Sequence, residues 1–148
     1  MKRIPKIYFA ASIRGGRDRQ EVYAQMCGLL AQYGTVLTEH VGDTSFTSAG
    51  EDTETEEYIF IQDKRWILEA DFVVAEVTNP SLGVGWKIAY AESVGKKVLC
   101  LYFQKAEKKL SAMIAGNSWL TICRYQTMSE IEAFLSEQLF LFSKRGTT

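Results

Sequence analysis

Apolar runs of strand length alternate along the whole chain with stretches whose apolar residues recur at helical spacing. Residues 7–11, Ile-Tyr-Phe-Ala-Ala, read as a buried strand, and residues 21–33 read as a helix with Val22, Met26, Leu29, Leu30 and Tyr33 on one stripe. Gly34 is expected at its C-cap. A second strand is predicted over 35–41, then a polar, acidic loop over 42–57. Residues 56–69 read as a helix with Ile59, Phe60, Trp66 and Ile67 as core candidates, and 71–77 as a central strand. The turn Asn79-Pro80-Ser81-Leu82-Gly83 opens a third helix over 84–94, closed by Gly95. Further strands are expected over 97–103 and 120–125, a short helix over 110–115, and a last helix over 129–142. That last helix would start in a capping box of Ser129 and Glu132, and the tail would fray from Lys144.

Strand–helix alternation with almost uninterrupted apolar strands predicts an α/β fold: a doubly wound, five-stranded parallel sheet, flavodoxin-like, with helices on both faces. The 148 residues suffice for one domain spanning 1–148, since a chain of this size buries roughly 70% of its unfolded surface. In such sheets ligands bind outside the carboxyl ends of the strands, where the winding reverses. The loops after the first three strands are therefore the places to look for chemistry.

Charge narrows the partners. The net charge is −1, so no basic excess favours a nucleic acid, and any acidic partner is a small one held by local groups. Cys27, Cys100 and Cys123 lack metal-ligand spacing and read as reduced core thiols. No apolar run approaches the roughly 20 residues of a membrane span, and the basic N-terminus leads straight into a strand. The expected location is cytoplasmic or nuclear, away from membranes.

Two loops carry the anion-binding signal. After the first strand, Ser12-Ile13-Arg14-Gly15-Gly16-Arg17 combines a hydroxyl, two guanidinium groups and glycines that let backbone amides approach a phosphate. It lacks the G-x-G-x-x-G dinucleotide pattern. After the third strand, Ser81, Gly83 and Gly85 stand at a helix N-terminus, a second anion site. One such loop is equally a solvated turn; two at one sheet edge favour a phosphorylated ligand. His40, the single histidine, ends the second strand as a structural residue or a ligand contact. Asp63 sits among Gln62, Lys64 and Arg65 and reads by itself as a surface ion pair. Residues 50–57 read as a solvated loop or a lid. Tyr8, Phe9, Trp66 and Trp86 read as core.

These residues resemble the 2′-deoxynucleoside 5′-phosphate N-hydrolases of the nucleoside 2-deoxyribosyltransferase superfamily. The likeness rests on Tyr8-Phe9-Ala10-Ala11-Ser12-Ile13-Arg14-Gly15-Gly16, Val36-Leu37-Thr38-Glu39-His40-Val41, Ala70 to Thr78, Pro80-Ser81-Leu82-Gly83-Val84-Gly85 and Leu110-Ser111-Ala112-Met113-Ile114. The resemblance implies cleavage of the N-glycosidic bond of a deoxynucleoside 5′-monophosphate to free base and 2-deoxyribose 5-phosphate, with no metal or other cofactor. It implies that Ser12, Arg14, Gly16, Ser81 and Gly83 hold the 5′-phosphate, with Ile13 in the same substrate-binding loop. His40 would lie near the base, Tyr8 would orient the nucleophile and Asp63 would assist proton transfer. Ser111 and Met113 would reach into the partner's pocket across a homodimer.

One position departs from the resemblance. Where these enzymes carry a nucleophilic glutamate, two residues after the last glycine of Gly-Val-Gly, this chain has Lys87. An oxocarbenium-like transition state gathers positive charge that a carboxylate stabilises and an ammonium opposes. A lysine in the first turns of a helix is itself disfavoured unless an anion is near, so phosphate binding survives the change better than hydrolysis does. Glu92 lies about 140° further around the helix, and Glu76 lies on a strand. Three readings stay open: slow hydrolysis with another acid such as Asp63, nucleotide binding without turnover, and Lys87 as an amine that forms an imine with the opened sugar.

Overall fold

The computed structural model describes residues 3–12, 19–38 and 55–145. Five strands, β1 (Lys6–Ala10), β2 (Thr35–Leu37), β3 (Phe72–Glu76), β4 (Lys97–Phe103) and β5 (Thr121–Tyr125), pair in parallel in the order β2-β1-β3-β4-β5. The helices are α1 (Gln20–Ala31), α2 (Glu56–Glu69), α3 (Leu82–Ser93), α4 (Ala112–Ala115) and α5 (Met128–Arg145). This is the predicted doubly wound sheet.

Side-chain alternation along the strands divides the interior in two. Tyr8, Val73, Ala75 and Val98 face a core completed by Ile67 of α2 and by Val84, Ile88 and Ala91 of α3. Ile7, Phe9, Phe72 and Val74 face the other core, completed by Tyr23, Met26 and Leu30 of α1 and by Ile131 and Leu135 of α5. β3 is buried at every position, which is why it reads as a continuous apolar run.

Several local expectations are corrected. α1 ends with Gln32 as C-cap, so Gly34 is not the capping residue. A Cβ at Gly34 would come within 2.3 Å of the Pro5 carbonyl oxygen, so close backbone approach explains the glycine. Gly95 does close α3 in a left-handed conformation, φ 77°. α5 starts at Met128, and the Glu130 N–H donates to Thr127 Oγ1 at 3.3 Å. Thr127 and Glu130, not Ser129 and Glu132, therefore hold its start. The helix runs to Arg145 where fraying was expected from Lys144. Phe60 and Trp86 are not core: they are half-exposed and pack edge-to-face, 5.1 Å between centroids, on the outer surface of α2 and α3. Strand β2 ends at Leu37, since Thr38 is described and is not strand; residues 39–54 lie outside the described residues, and the last three positions of the expected loop over 42–57 are the cap and first residues of α2. No described helix is long and apolar enough to cross a membrane.

Candidate active site

From β1 the winding passes to β2 on one side and then to β3 on the other, so the switch point lies outside the ends of β1 and β3. β1 continues through Ala11 to Ser12, which is 9% exposed. β3 continues through Val77–Pro80 into α3. Between the two segments opens a cleft of about 700 Å³ whose walls include Ser12, Ser81, Gly83, Lys87 and Lys108.

Ser81 is the N-cap of α3: its Oγ accepts from the Val84 N–H at 3.2 Å, which leaves its own proton free to donate. The Leu82 and Gly83 amides belong to a first turn that has no intrahelical acceptors, and the helix dipole adds partial positive charge there. A Cβ at Gly83 would meet only Ser81 Oγ, at 3.9 Å, so packing within the chain does not demand a glycine, and the backbone there is open to close approach from the cleft.

Beside this anion end lies a charged cluster. Lys87 Nζ stands 3.4 Å from Asp63 Oδ2 and 5.8 Å from the centroid of the Tyr8 ring, within cation–π range. Asp63 is only 8% exposed, so the surface pair expected for it is instead a buried pair with Lys87. Its spacing of four from both Ile59 and Ile67 places it on the inward stripe of α2. Asp63 Oδ1 is buried and has no hydrogen-bond partner among the described residues.

A second charged cluster went unassigned in the sequence. Glu76, 1% exposed, accepts through Oε1 from the Thr78 N–H at 2.7 Å and through Oε2 from the Tyr125 hydroxyl at 2.5 Å and Arg19 Nη2 at 3.3 Å. Arg19 also donates to the Tyr125 hydroxyl and lies 5.3 Å from the centroid of the Phe103 ring. Burial opposes the charge on Arg19, but Tyr125 and Glu76 outweigh it and hold the guanidinium above its ordinary value. Burial and then the Glu76 charge push the Tyr125 phenol up. The signal that could have found this cluster is a carboxylate at the end of a strand that is otherwise wholly apolar.

Ile13, Arg14, Gly16 and His40 lie outside the described residues. Ser111 caps α4, its Oγ accepting from the Met113 N–H at 3.2 Å, and Met113 is 82% exposed. Both line an adjoining cavity of about 530 Å³ that has Asn79, Pro80, Ser81, Leu82 and Val84 in common with the switch-point cleft, and neither lines that cleft itself. Burial raises the thiol of Cys27 to about 11 and of Cys100 to about 12, and also raises that of Cys123, so all three stay protonated and are poor nucleophiles.

Residues 7–130 match the model of the nucleoside 2-deoxyribosyltransferase family. The chain belongs to that family. It is 44% identical over 135 residues to the 5-hydroxymethyl-dUMP N-hydrolase of Tetraodon nigroviridis, covering 89% of this chain and 95% of the fish protein. It is 42% identical over 135 residues to the human 5-hydroxymethyl-dUMP N-hydrolase, covering 88% of this chain and 77% of the human one. Among solved structures it resembles the CMP N-glycosidase of Clostridium botulinum, with TM-score 0.61, 20% identity and coverage of 90% and 98% of the two chains. It also resembles a 2-deoxyribosyltransferase of Bacillus psychrosaccharolyticus, with TM-score 0.63, 15% identity and coverage of 86% and 90%. At these identities the structural likeness establishes the nucleoside 2-deoxyribosyltransferase fold; substrate has to be argued from the cleft.

Proposed function

We propose that the chain binds a deoxynucleoside 5′-monophosphate in the switch-point cleft and hydrolyses its N-glycosidic bond to free base and 2-deoxyribose 5-phosphate, slowly. The observation that carries this is the convergence of Ser12, Ser81 and the first turn of α3 on one cleft that also holds Lys87. Relatives at 44% and 42% identity are named N-hydrolases of a deoxynucleotide, which supports the same bond and substrate class here. The phosphate would take the hydroxyls and amides of that convergence, with Ile13, Arg14 and Gly16 from the segment after Ser12. His40 would serve the base, and Tyr8 would orient the reacting groups.

Turnover is slow because Lys87 brings an ammonium where the oxocarbenium-like transition state needs negative charge. Asp63 supplies the remaining carboxylate. One of its oxygens is engaged by Lys87, and the other has no partner among the described residues and would orient water. Ser111 and exposed Met113 suit completion of a partner's cleft in a homodimer, and sedimentation should then show a dimer whose population falls in Met113→Glu.

The Lys87–Asp63 pair favours a second reading, nucleotide binding without turnover, because it occupies the carboxylate that catalysis would use. Base release from each of the four monophosphates, measured on this protein and on Lys87→Glu in parallel with calorimetric binding, separates the two. Slow release by the unaltered protein supports hydrolysis; binding with no release supports the second reading; no binding of any monophosphate overturns both.

A further inference from the structure

The turn from β3 to α3, which rims the cleft, and the start of α1 meet at one buried carboxylate. Glu76 holds the Thr78 N–H, and Val77 donates to the Leu101 carbonyl at 2.9 Å, so the turn leaving β3 is fixed at its first two residues. Thr78 Oγ1 in turn accepts from the Phe103 N–H at 2.9 Å, tying the turn to the end of β4. Asn79 Nδ2 reaches the Tyr23 hydroxyl of α1 at 3.5 Å. Two residues further on, Ser81 caps α3 and presents its hydroxyl to the cleft. The other oxygen of Glu76 holds Tyr125 and Arg19, and Arg19 is the residue at which the chain enters α1, directly after residues 13–18. The start of α1 and the turn from β3 to α3 are thus tied to the same group. Both Glu76 oxygens are engaged, and the carboxylate is wholly enclosed and cannot touch a ligand.

We propose that Glu76, with Tyr125 and Arg19, is a positioning group for anion binding: it fixes the turn that carries Ser81 and the first turn of α3 against the start of α1, and so tunes affinity for the phosphate of the ligand. The inference rests on the reading of this cleft as a phosphomonoester site. A buried carboxylate with both oxygens held by hydrogen bonds is fixed in place, and rigid support behind hydroxyls and amides sets the ångström-scale geometry on which oxyanion recognition depends.

The test uses the full chain and Tyr125→Phe. This change keeps the ring beside Phe103, 5.6 Å between centroids, and deletes the hydroxyl between Arg19 and Glu76. Calorimetry is run with a deoxynucleoside monophosphate, inorganic phosphate and the matching deoxynucleoside. The expected result is a loss of about tenfold in affinity for the monophosphate and for phosphate, with deoxynucleoside affinity unchanged. Glu76→Gln keeps an acceptor for Thr78 and should show the same split. Phosphate affinity equal to that of the unaltered protein in both variants overturns the inference, and so does an equal loss for nucleoside and nucleotide, the mark of a merely structural role. Failure of the unaltered protein to bind monophosphate or phosphate instead overturns the reading of the cleft, and this inference with it.

Discussion

The two buried charge clusters of this chain are built on opposite principles. Around Glu76, one carboxylate serves a backbone amide, a phenol and a guanidinium, and neither of its oxygens is idle. Around Asp63, one oxygen meets Lys87 at 3.4 Å and the other has no partner among the described residues. A carboxylate with both oxygens engaged holds structure, even though Arg19 Nε beside it is itself unpartnered among the described residues, whereas a carboxylate with one idle oxygen leaves a buried acceptor unmet at a cost of about 1–3 kcal/mol. The difference fits a supporting role for Glu76 and the role toward water or substrate proposed for Asp63.

The strongest way to break this contrast is Glu76→Ala. It strands the Thr78 amide, the Tyr125 hydroxyl and part of Arg19, and the breaking of a buried, hydrogen-bonded charge pair costs about 3 kcal/mol. The melting temperature should fall by roughly 6–12 °C for a chain of this size. A fall under about 2 °C would show that the network contributes little and would remove one side of the comparison.

Lys87→Glu acts on the other cluster and should change chemistry more than stability. It places a second carboxylate beside Asp63, and two carboxylates this close cannot both ionise easily, so one holds its proton toward neutral pH as an acid–base pair requires. Base release should rise at least about 100-fold, within the range typical of general acid–base catalysis. Rates within a factor of two of the unaltered protein would show that residue 87 is not beside the reacting bond. Borohydride added during incubation with monophosphate should leave the unaltered protein's mass unchanged, because the Lys87 ammonium is committed to Asp63. A covalent sugar-phosphate adduct would instead make Lys87 the nucleophile.

The same contrast explains what was legible in the sequence. The frame was: β3 and β4 are apolar apart from Glu76 at the end of one and Lys97 at the start of the other, and the ranges 56–69 and 97–103 were recovered to the residue because periodicity and composition agreed there. The two loops that line the cleft were visible through Ser12, Ser81 and Gly83, because small hydroxyl and glycine residues directly after an apolar strand mark the loop at its carboxyl end. Asp63 was misread because its sequence neighbours Gln62, Lys64 and Arg65 are polar, and burial depends instead on neighbours four positions away. The pairing of Glu76 with Arg19 and Tyr125 joins residues 57 and 49 positions apart, a separation no local pattern encodes. The start of α5 was misplaced because Thr127–Glu130 and Ser129–Glu132 fit the same capping pattern, and packing chose between them. Phe60 and Trp86 were counted as core because hydrophobicity marks burial without saying whether the cover is this chain or another.

Ser81→Ala sharpens the comparison at the cleft itself. Loss of the cap on the Val84 N–H should cost about 1 kcal/mol. Because the same hydroxyl has a proton to offer the ligand, monophosphate affinity should also fall, by about 5–10-fold. Stability lost with affinity retained would confine Ser81 to its capping role and shift phosphate recognition to the amides.

The smallest expected effect lies in alkaline solution. The folded Tyr125 phenol titrates above its ordinary 10.0, first through burial and then through the Glu76 charge. A group raised on folding binds its proton more tightly in the native state, so its stabilisation is complete below pH 10 and is lost as pH rises beyond it. Cys100, raised from 9.0 to about 12, adds a loss of the same sign from pH 9 upward. Tyr125→Phe removes the first contribution and keeps the second. Its stability, lower than that of the unaltered protein at pH 8, should therefore decline less steeply between pH 10 and pH 11, so that the two denaturation curves converge. Parallel curves across that interval would mean that Tyr125 titrates as an ordinary phenol and that its hydrogen bond to Glu76 does not couple to folding.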